Sequence, residues 1–149
     1  MGAPYDDQSL SQPEGEDLRI CVICGRRLAR EVLSRALTRE LDAETDAFSS
    51  CEDALTSDLD YNVFVVYDYF GQGRLNGPQG TKRIRLMKPK AYVLGVTHNP
   101  GFDKQFVQVG ADTALVVDEQ SVRRIVRVVR KRVVTTLYPE AARALGQEE

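Results

Sequence analysis

Apolar positions change their spacing repeatedly along the chain, and the changes mark out strands alternating with helices. Leu18 to Cys24 (LRICVIC) is a short apolar run rich in β-forming residues and closed by Gly25, which predicts a buried strand. From Arg26 to Leu41 the residues Leu28, Val32, Leu33, Ala36, Leu37 and Leu41 recur at steps of three and four with Arg and Glu between them, the pattern of an amphipathic helix. Glu44 to Phe48 is weakly strand-like, and Ser49 to Leu59 predicts a short helix with Ser50 as its cap and Ala54, Leu55 and Leu59 on one face. Tyr61 to Tyr67 (YNVFVVY) is apolar almost throughout, as expected of a central parallel strand covered on both faces, and Asp68 stands at its end. A loop holding Gly71, Gly73, Gly77, Pro78 and Gly80 leads to a basic helix over Thr81 to Met87, followed by a strand from Ala91 to Val96. Thr97 to Gly101 forms a loop, Phe102, Phe106, Val107 and Val109 mark a short helix, and Ala114 to Val117 is a fifth strand. Ser121 then caps a helix whose Val122, Ile125, Val126, Val129 and Val133 line one stripe as far as Leu137, with Pro139 as its stop.

Five strands alternating with five helices predict an α/β fold: a doubly wound, five-stranded parallel sheet of the flavodoxin-like kind, joined by right-handed crossovers. The chain has 149 residues, enough for one domain, which we place at residues 18–137 between an N-terminal tail, 1–17, and a C-terminal tail, 138–149. Hydrophobic residues at 42% and charged residues at 28% exclude a wholly disordered chain, a coiled-coil rod and a collagen-like repeat. No apolar run approaches the roughly 20 residues of a membrane-spanning helix, and the N-terminus lacks a basic start followed by an apolar stretch. No membrane insertion and a cytoplasmic address are therefore expected, and three cysteines agree with a reducing compartment. Net charge is −2, but residues 1–17 hold Asp6, Asp7, Glu14, Glu16 and Asp17 with no Lys or Arg, so that stretch reads as a flexible acidic tail. Between Ser121 and Val134 there are Arg123, Arg124, Arg127, Arg130, Lys131 and Arg132 and no acid, a concentrated positive field on the last helix.

In an open sheet of this kind the functional crevice lies beyond the carboxyl ends of the strands, which here supply Cys24, Gly25, Asp68, Thr97 and Val117. Over residues 18–134 the chain resembles the receiver domain of bacterial response regulators. The resemblance is carried by Asp68 after VFVVY, by Thr97 ending the fourth strand, and by Gly110-Ala111-Asp112 leading into the fifth. It implies that Asp68 holds the phosphoacceptor position and Thr97 the switch position. It implies equally that the acidic pair that would bind Mg²⁺ is replaced by Cys24 and Gly25, the lysine that would meet the phosphoryl group by Val117, with Asp118 in place of the following proline, and the aromatic partner of the threonine by Ala114. A soft thiol and a glycine make a poor magnesium site. Phosphoryl transfer depends on cations set against developing negative charge. The resemblance therefore points to a degenerate pseudo-receiver with no catalytic residue, cofactor or metal, in which Asp68 is an inert remnant or an ordinary strand-end carboxylate.

Arg26 and Arg27 follow the lost acidic pair. Arg26 could stand in for the metal as a fixed cation beside Asp68, or both arginines could be solvated at the start of the first helix. His98, beside Thr97, reads as a surface loop residue. Cys21 and Cys24 have CxxC spacing, but alternation along a strand turns them to opposite faces, which makes them core residues; Cys51 reads as half-buried on the second helix. Arg123, Arg127 and Arg130 recur at helical steps and form a candidate interaction face for an acidic protein partner, unless they are simply a solvated surface. The leading expectation is a stand-alone signalling protein, not an enzyme, that acts by phosphorylation-independent contact with a signalling or localisation partner; a homodimer is compatible with it. An atypical aspartyl-phosphate acceptor is the first alternative, and an Arg-mediated nucleic-acid binder ranks last because no winged or helix-turn-helix module is present.

Overall fold

The computed structural model describes residues 18–118 and 121–137; the expected tails at 1–17 and 138–149, with Pro139, lie outside the described residues. The elements in chain order are β1 (Arg19–Ile23), α1 (Arg27–Leu41), β2 (Glu44–Phe48), α2 (Cys51–Leu55), β3 (Val63–Tyr67), α3 (Gly77–Met87), β4 (Tyr92–Thr97), α4 (Phe102–Gln108), β5 (Thr113–Val116) and α5 (Val122–Leu137). All neighbouring strands pair in parallel, in the order β2-β1-β3-β4-β5, so the order reverses between β1 and β3. The expected doubly wound sheet is the observed one.

Strand alternation sorts the core into two layers. Ile20, Val22, Cys24, Val63, Val65, Leu94 and Val96 pack with Leu33 and Leu37 of α1 and with Ile125, Val129 and Val133 of α5. Cys21, Ile23, Phe64, Val66 and Val93 face the other way, onto α2, α3 and α4 through Cys51, Ala54, Ile84 and Phe106. Cys21 and Cys24 thus lie in different layers, and all three cysteines are free. Cys51 is fully buried, not half-buried, because α2 packs against α3 where Gly80 has no side chain: a Cβ there would fall within 2.8 Å of Cys51 Cβ.

Two helix boundaries differ from the pattern-based reading. The second helix ends at Leu55, four residues short, because Thr56 Oγ1 and Ser57 Oγ donate back to the carbonyls of Asp53 and Ala54 and Leu59 takes a left-handed φ of 55°. Its start is as expected, with Ser50 Oγ accepting from Asp53 N at 3.1 Å. The third helix begins at Gly77, four residues early, on a capping box in which Asn76 and Gln79 exchange side-chain to backbone hydrogen bonds of 2.8 Å and Pro78 occupies the first turn. No helix among the described residues is long and apolar enough to cross a membrane.

Candidate functional site

Asp68 follows the last residue of β3 and is 8% exposed. Its Oδ2 accepts a hydrogen bond from Thr97 Oγ1 at 2.5 Å, and that hydroxyl accepts in turn from Asn99 N at 3.0 Å. Backbone bonds hold the frame: Gly77 N donates to the Asp68 carbonyl at 2.8 Å, and Val117 N to the Thr97 carbonyl at 2.9 Å. The N-terminus of α3, the end of β4 and the start of the β5–α5 loop are therefore tied to the same point. On one side Asp68 opens onto a cleft of about 400 Å³ shared with Arg74, Asn76, Gln79 and Asn99.

On the other side stands Cys24, 1% exposed, its thiol donating to the Arg26 carbonyl at 3.6 Å. Burial pushes this thiol above its ordinary value, and the Asp68 carboxylate adds to the rise against the opposing pull of the Arg26 carbonyl, Arg30 and Arg26. A thiol held protonated is neither a good nucleophile nor a good metal ligand. At Gly25 a Cβ would come 3.3 Å from the Tyr69 carbonyl and 3.4 Å from Phe70 Cδ1, so a longer side chain there would crowd the β3–α3 loop. Val117 is buried in the apolar layer beneath α5, and Ala114 is half-buried against the opposite layer. Magnesium needs an octahedral set of oxygen donors; a neutral thiol and a glycine beside a lone carboxylate do not fit that ion.

Arg26 does not take the metal's place. Its side chain is exposed and forms no ion pair with Asp68; it lines a cleft of about 300 Å³ between α1 and α5 with Tyr67, His98 and Val117. Arg27 is solvated and pairs with Glu31 at 3.2 Å, one turn on. The cation that reaches the strand end is Arg30, whose Nη1 donates to the Cys24 carbonyl at 2.9 Å. Sequence reasoning missed Arg30, although it lies four residues after Arg26 on the same helical face. His98 is exposed at the rim of the cleft.

On α5 the three arginines of the expected face separate. Arg123 and Arg127 are exposed and pair with no acid among the described residues. Arg130 instead turns to α1, with Nη2 at 3.3 Å from both the side chain and the carbonyl of Glu40. The exposed row is Arg123, Arg127 and Lys131, at even steps of four.

No family model matches this chain, and no curated protein matches it. Solved structures do. The response regulator TrrA from Thermotoga maritima, in complex with Mg²⁺ and BeF, superposes with a TM-score of 0.65 at 21% identity, over 76% of this chain and 97% of that one. An orphan response regulator of H. pylori gives 0.67 at 21% identity, over 81% and 99%. A CheY-like receiver domain protein from Methanospirillum hungatei gives 0.65 at 11% identity, over 78% and 93%. The fold is that of response-regulator receiver domains. In the receiver fold Asp68 and Thr97 sit together at the carboxyl ends of adjacent strands, with Cys24 and Gly25 following β1, Val117 following β5, and Arg74 in the cleft onto which Asp68 opens.

Proposed function

We propose that this chain is a signalling domain of the receiver fold that works through contact with a protein partner and without phosphoryl transfer to Asp68. The observation that carries the reading is the surroundings of the Asp68 carboxylate: a threonine hydroxyl on one oxygen, a protonated thiol nearby, and an apolar valine where a cation would be needed. Arg74 shares the cleft but is exposed and forms no ion pair with Asp68, and Val117 supplies no charge, so a phosphoryl group transferred there would be left with weak electrostatic compensation. The partner surface we assign is the Arg123, Arg127 and Lys131 row, which suits an acidic protein because exposed cations that pair with no acid among the described residues speed and orient encounter with opposite charge. The acceptor reading keeps one point in its favour, since Asp68 does line an open polar cleft.

Both parts of the reading are tested by in-cell cross-linking of the wild type, Asp68→Asn and Arg123→Glu/Arg127→Glu. The expected result is the same cross-linked partner for wild type and Asp68→Asn, and its loss from the double variant. A partner lost from Asp68→Asn with folding intact would return that carboxylate to the mechanism.

A further inference from the structure

At the opposite end of the sheet from Asp68, one β3 length or about 17 Å away, the structure holds a third cleft, which the receiver reading does not use. Its volume is about 410 Å³, and it is framed by Lys88, Lys90, Arg132, Tyr92, Val63 and Val133, with Met87 at the mouth. Lys88, Lys90 and Arg132 line this space, and among the described residues no acid does. Two carboxylates on flanking segments are engaged with other cations, Asp112 with Arg85 at 2.7 Å and Asp60 with Arg19 at 2.9 Å.

The cationic rim is built on a braced turn. Lys88, Pro89, Lys90 and Ala91 form a turn closed by Ala91 N donating to the Lys88 carbonyl at 3.2 Å, and proline at its second position presets the bend. Arg85 Nη1 donates to the carbonyls of Pro89 at 2.9 Å and Ala91 at 2.7 Å, clamping the turn from below. Across the cleft the Arg132 guanidinium lies 4.9 Å from the centre of the Tyr92 ring. Two lysines on a fixed turn and an arginine held on an aromatic face are placed before any ligand arrives, so little ordering remains to be done on binding.

We propose that this cleft binds a nucleoside di- or triphosphate, with the phosphates between Lys88, Lys90 and Arg132 and the base against the exposed apolar side formed by Met87 and Pro89. A single carboxylate would leave two cations uncompensated, whereas a diphosphate presents enough charge and enough acceptors for all three. Val63, Tyr92 and Val133 are buried and Arg132 covers the Tyr92 ring, so the apolar surface open to a ligand is that of Met87 and Pro89; it offers nothing to a bare inorganic anion but suits a flat ring, and the volume lies within the range of small-molecule sites. The proposal is independent of what Asp68 does.

The test uses the full chain with ADP, pyrophosphate, adenosine and a single-stranded RNA, followed by calorimetry and amide shifts. ADP is expected to bind saturably, roughly tenfold or more tighter than pyrophosphate or adenosine, with shifts centred on Ala91, Tyr92 and Val133. Lys88→Gln/Lys90→Gln, which alters no buried contact, is expected to weaken ADP by about tenfold or more at unchanged melting temperature, and Arg132→Gln to weaken it likewise, with a small drop in melting temperature from its lost contact with Tyr92. Arg123→Gln/Arg127→Gln, at the other end of α5, should leave ADP binding unaltered. Absence of saturable ADP binding at millimolar concentration, pyrophosphate binding as tightly as ADP, undiminished binding in the lysine double variant, or RNA outcompeting ADP would each overturn the proposal.

Discussion

Gly95→Ala is expected to destabilise the domain by about 2–3 kcal/mol, as overpacking of a filled core does. Gly95 lies in the middle of β4 under the ring of Phe106, and a Cβ there would come within 2.5 Å of Phe106 Cδ1 and 2.7 Å of Cδ2. Phe106 cannot step aside. It is the one buried residue of the seven-residue α4, and its Cζ reaches within 2.5 Å of where a Gly77 Cβ would stand. The ring therefore fills a notch cut by two glycines, one from the sheet and one from the start of α3. Gly77→Ala should cost more than Gly95→Ala, because its obstruction includes backbone, with Asp68 Cα at 2.9 Å. Urea denaturation checks both through a lower midpoint at unchanged slope. Phe106→Leu placed on Gly95→Ala should cost less than the two changes summed, since the smaller side chain relieves the clash. A Gly95→Ala midpoint equal to that of the wild type would show that the notch is not filled as described.

Arg85→Ala is expected to cost about 1–3 kcal/mol relative to the wild type, since it strips the partly buried Gly110 and Ala91 carbonyls, the exposed Pro89 carbonyl and the Asp112 carboxylate of a charged donor at once. Its Nε donates to the Gly110 carbonyl at 2.9 Å, its Nη1 to Pro89 and Ala91, and its Nη2 to Asp112 at 2.7 Å. Asp112 Oδ2 also accepts from Val93 N at 2.8 Å, so one guanidinium joins α3, the turn before β4 and the loop before β5. Arg85→Lys should rescue little, because an ammonium cannot reproduce the planar fork that meets both loops together. Amide hydrogen exchange should quicken first at Lys90 to Val93. Full protection there in Arg85→Ala would show that the clamp adds nothing.

Much of the fold was written in the spacing of apolar residues. YNVFVVY has to be covered on both faces and the valine stripe of α5 has to be covered on one, and both lie where that requirement puts them. The α3 start was legible in principle, because Asn76 followed three residues later by Gln79 with Pro78 between is a helix-start signal; the glycines around it masked the signal by reading as a loop. The depth of Cys51 was not legible. It depends on Gly80 arriving opposite from another helix, and pattern along one chain segment carries no information about that partner. The site shows the same division. Asp68 and Thr97 could be placed from strand ends alone, because adjacent parallel strands bring their carboxyl ends together. Which arginine turns inward was decided by helix phase and reach, so Arg30 rather than Arg26 meets the end of β1, and Arg130 is drawn to Glu40 across an α1–α5 contact that no local pattern shows.

The central claim concerns Asp68, and one measurement meets it directly. The full chain is incubated with acetyl phosphate and Mg²⁺ and its intact mass is recorded beside that of Asp68→Asn. The replacement of the acidic pair by Cys24 and Gly25 and the uncharged Val117, with Arg74 exposed and not paired to the carboxylate, predict that both proteins keep their unmodified mass under conditions in which a receiver with an intact acidic pair becomes phosphorylated. A phosphoryl adduct on the wild type that is missing from Asp68→Asn would contradict the account and make this chain a working phosphoacceptor.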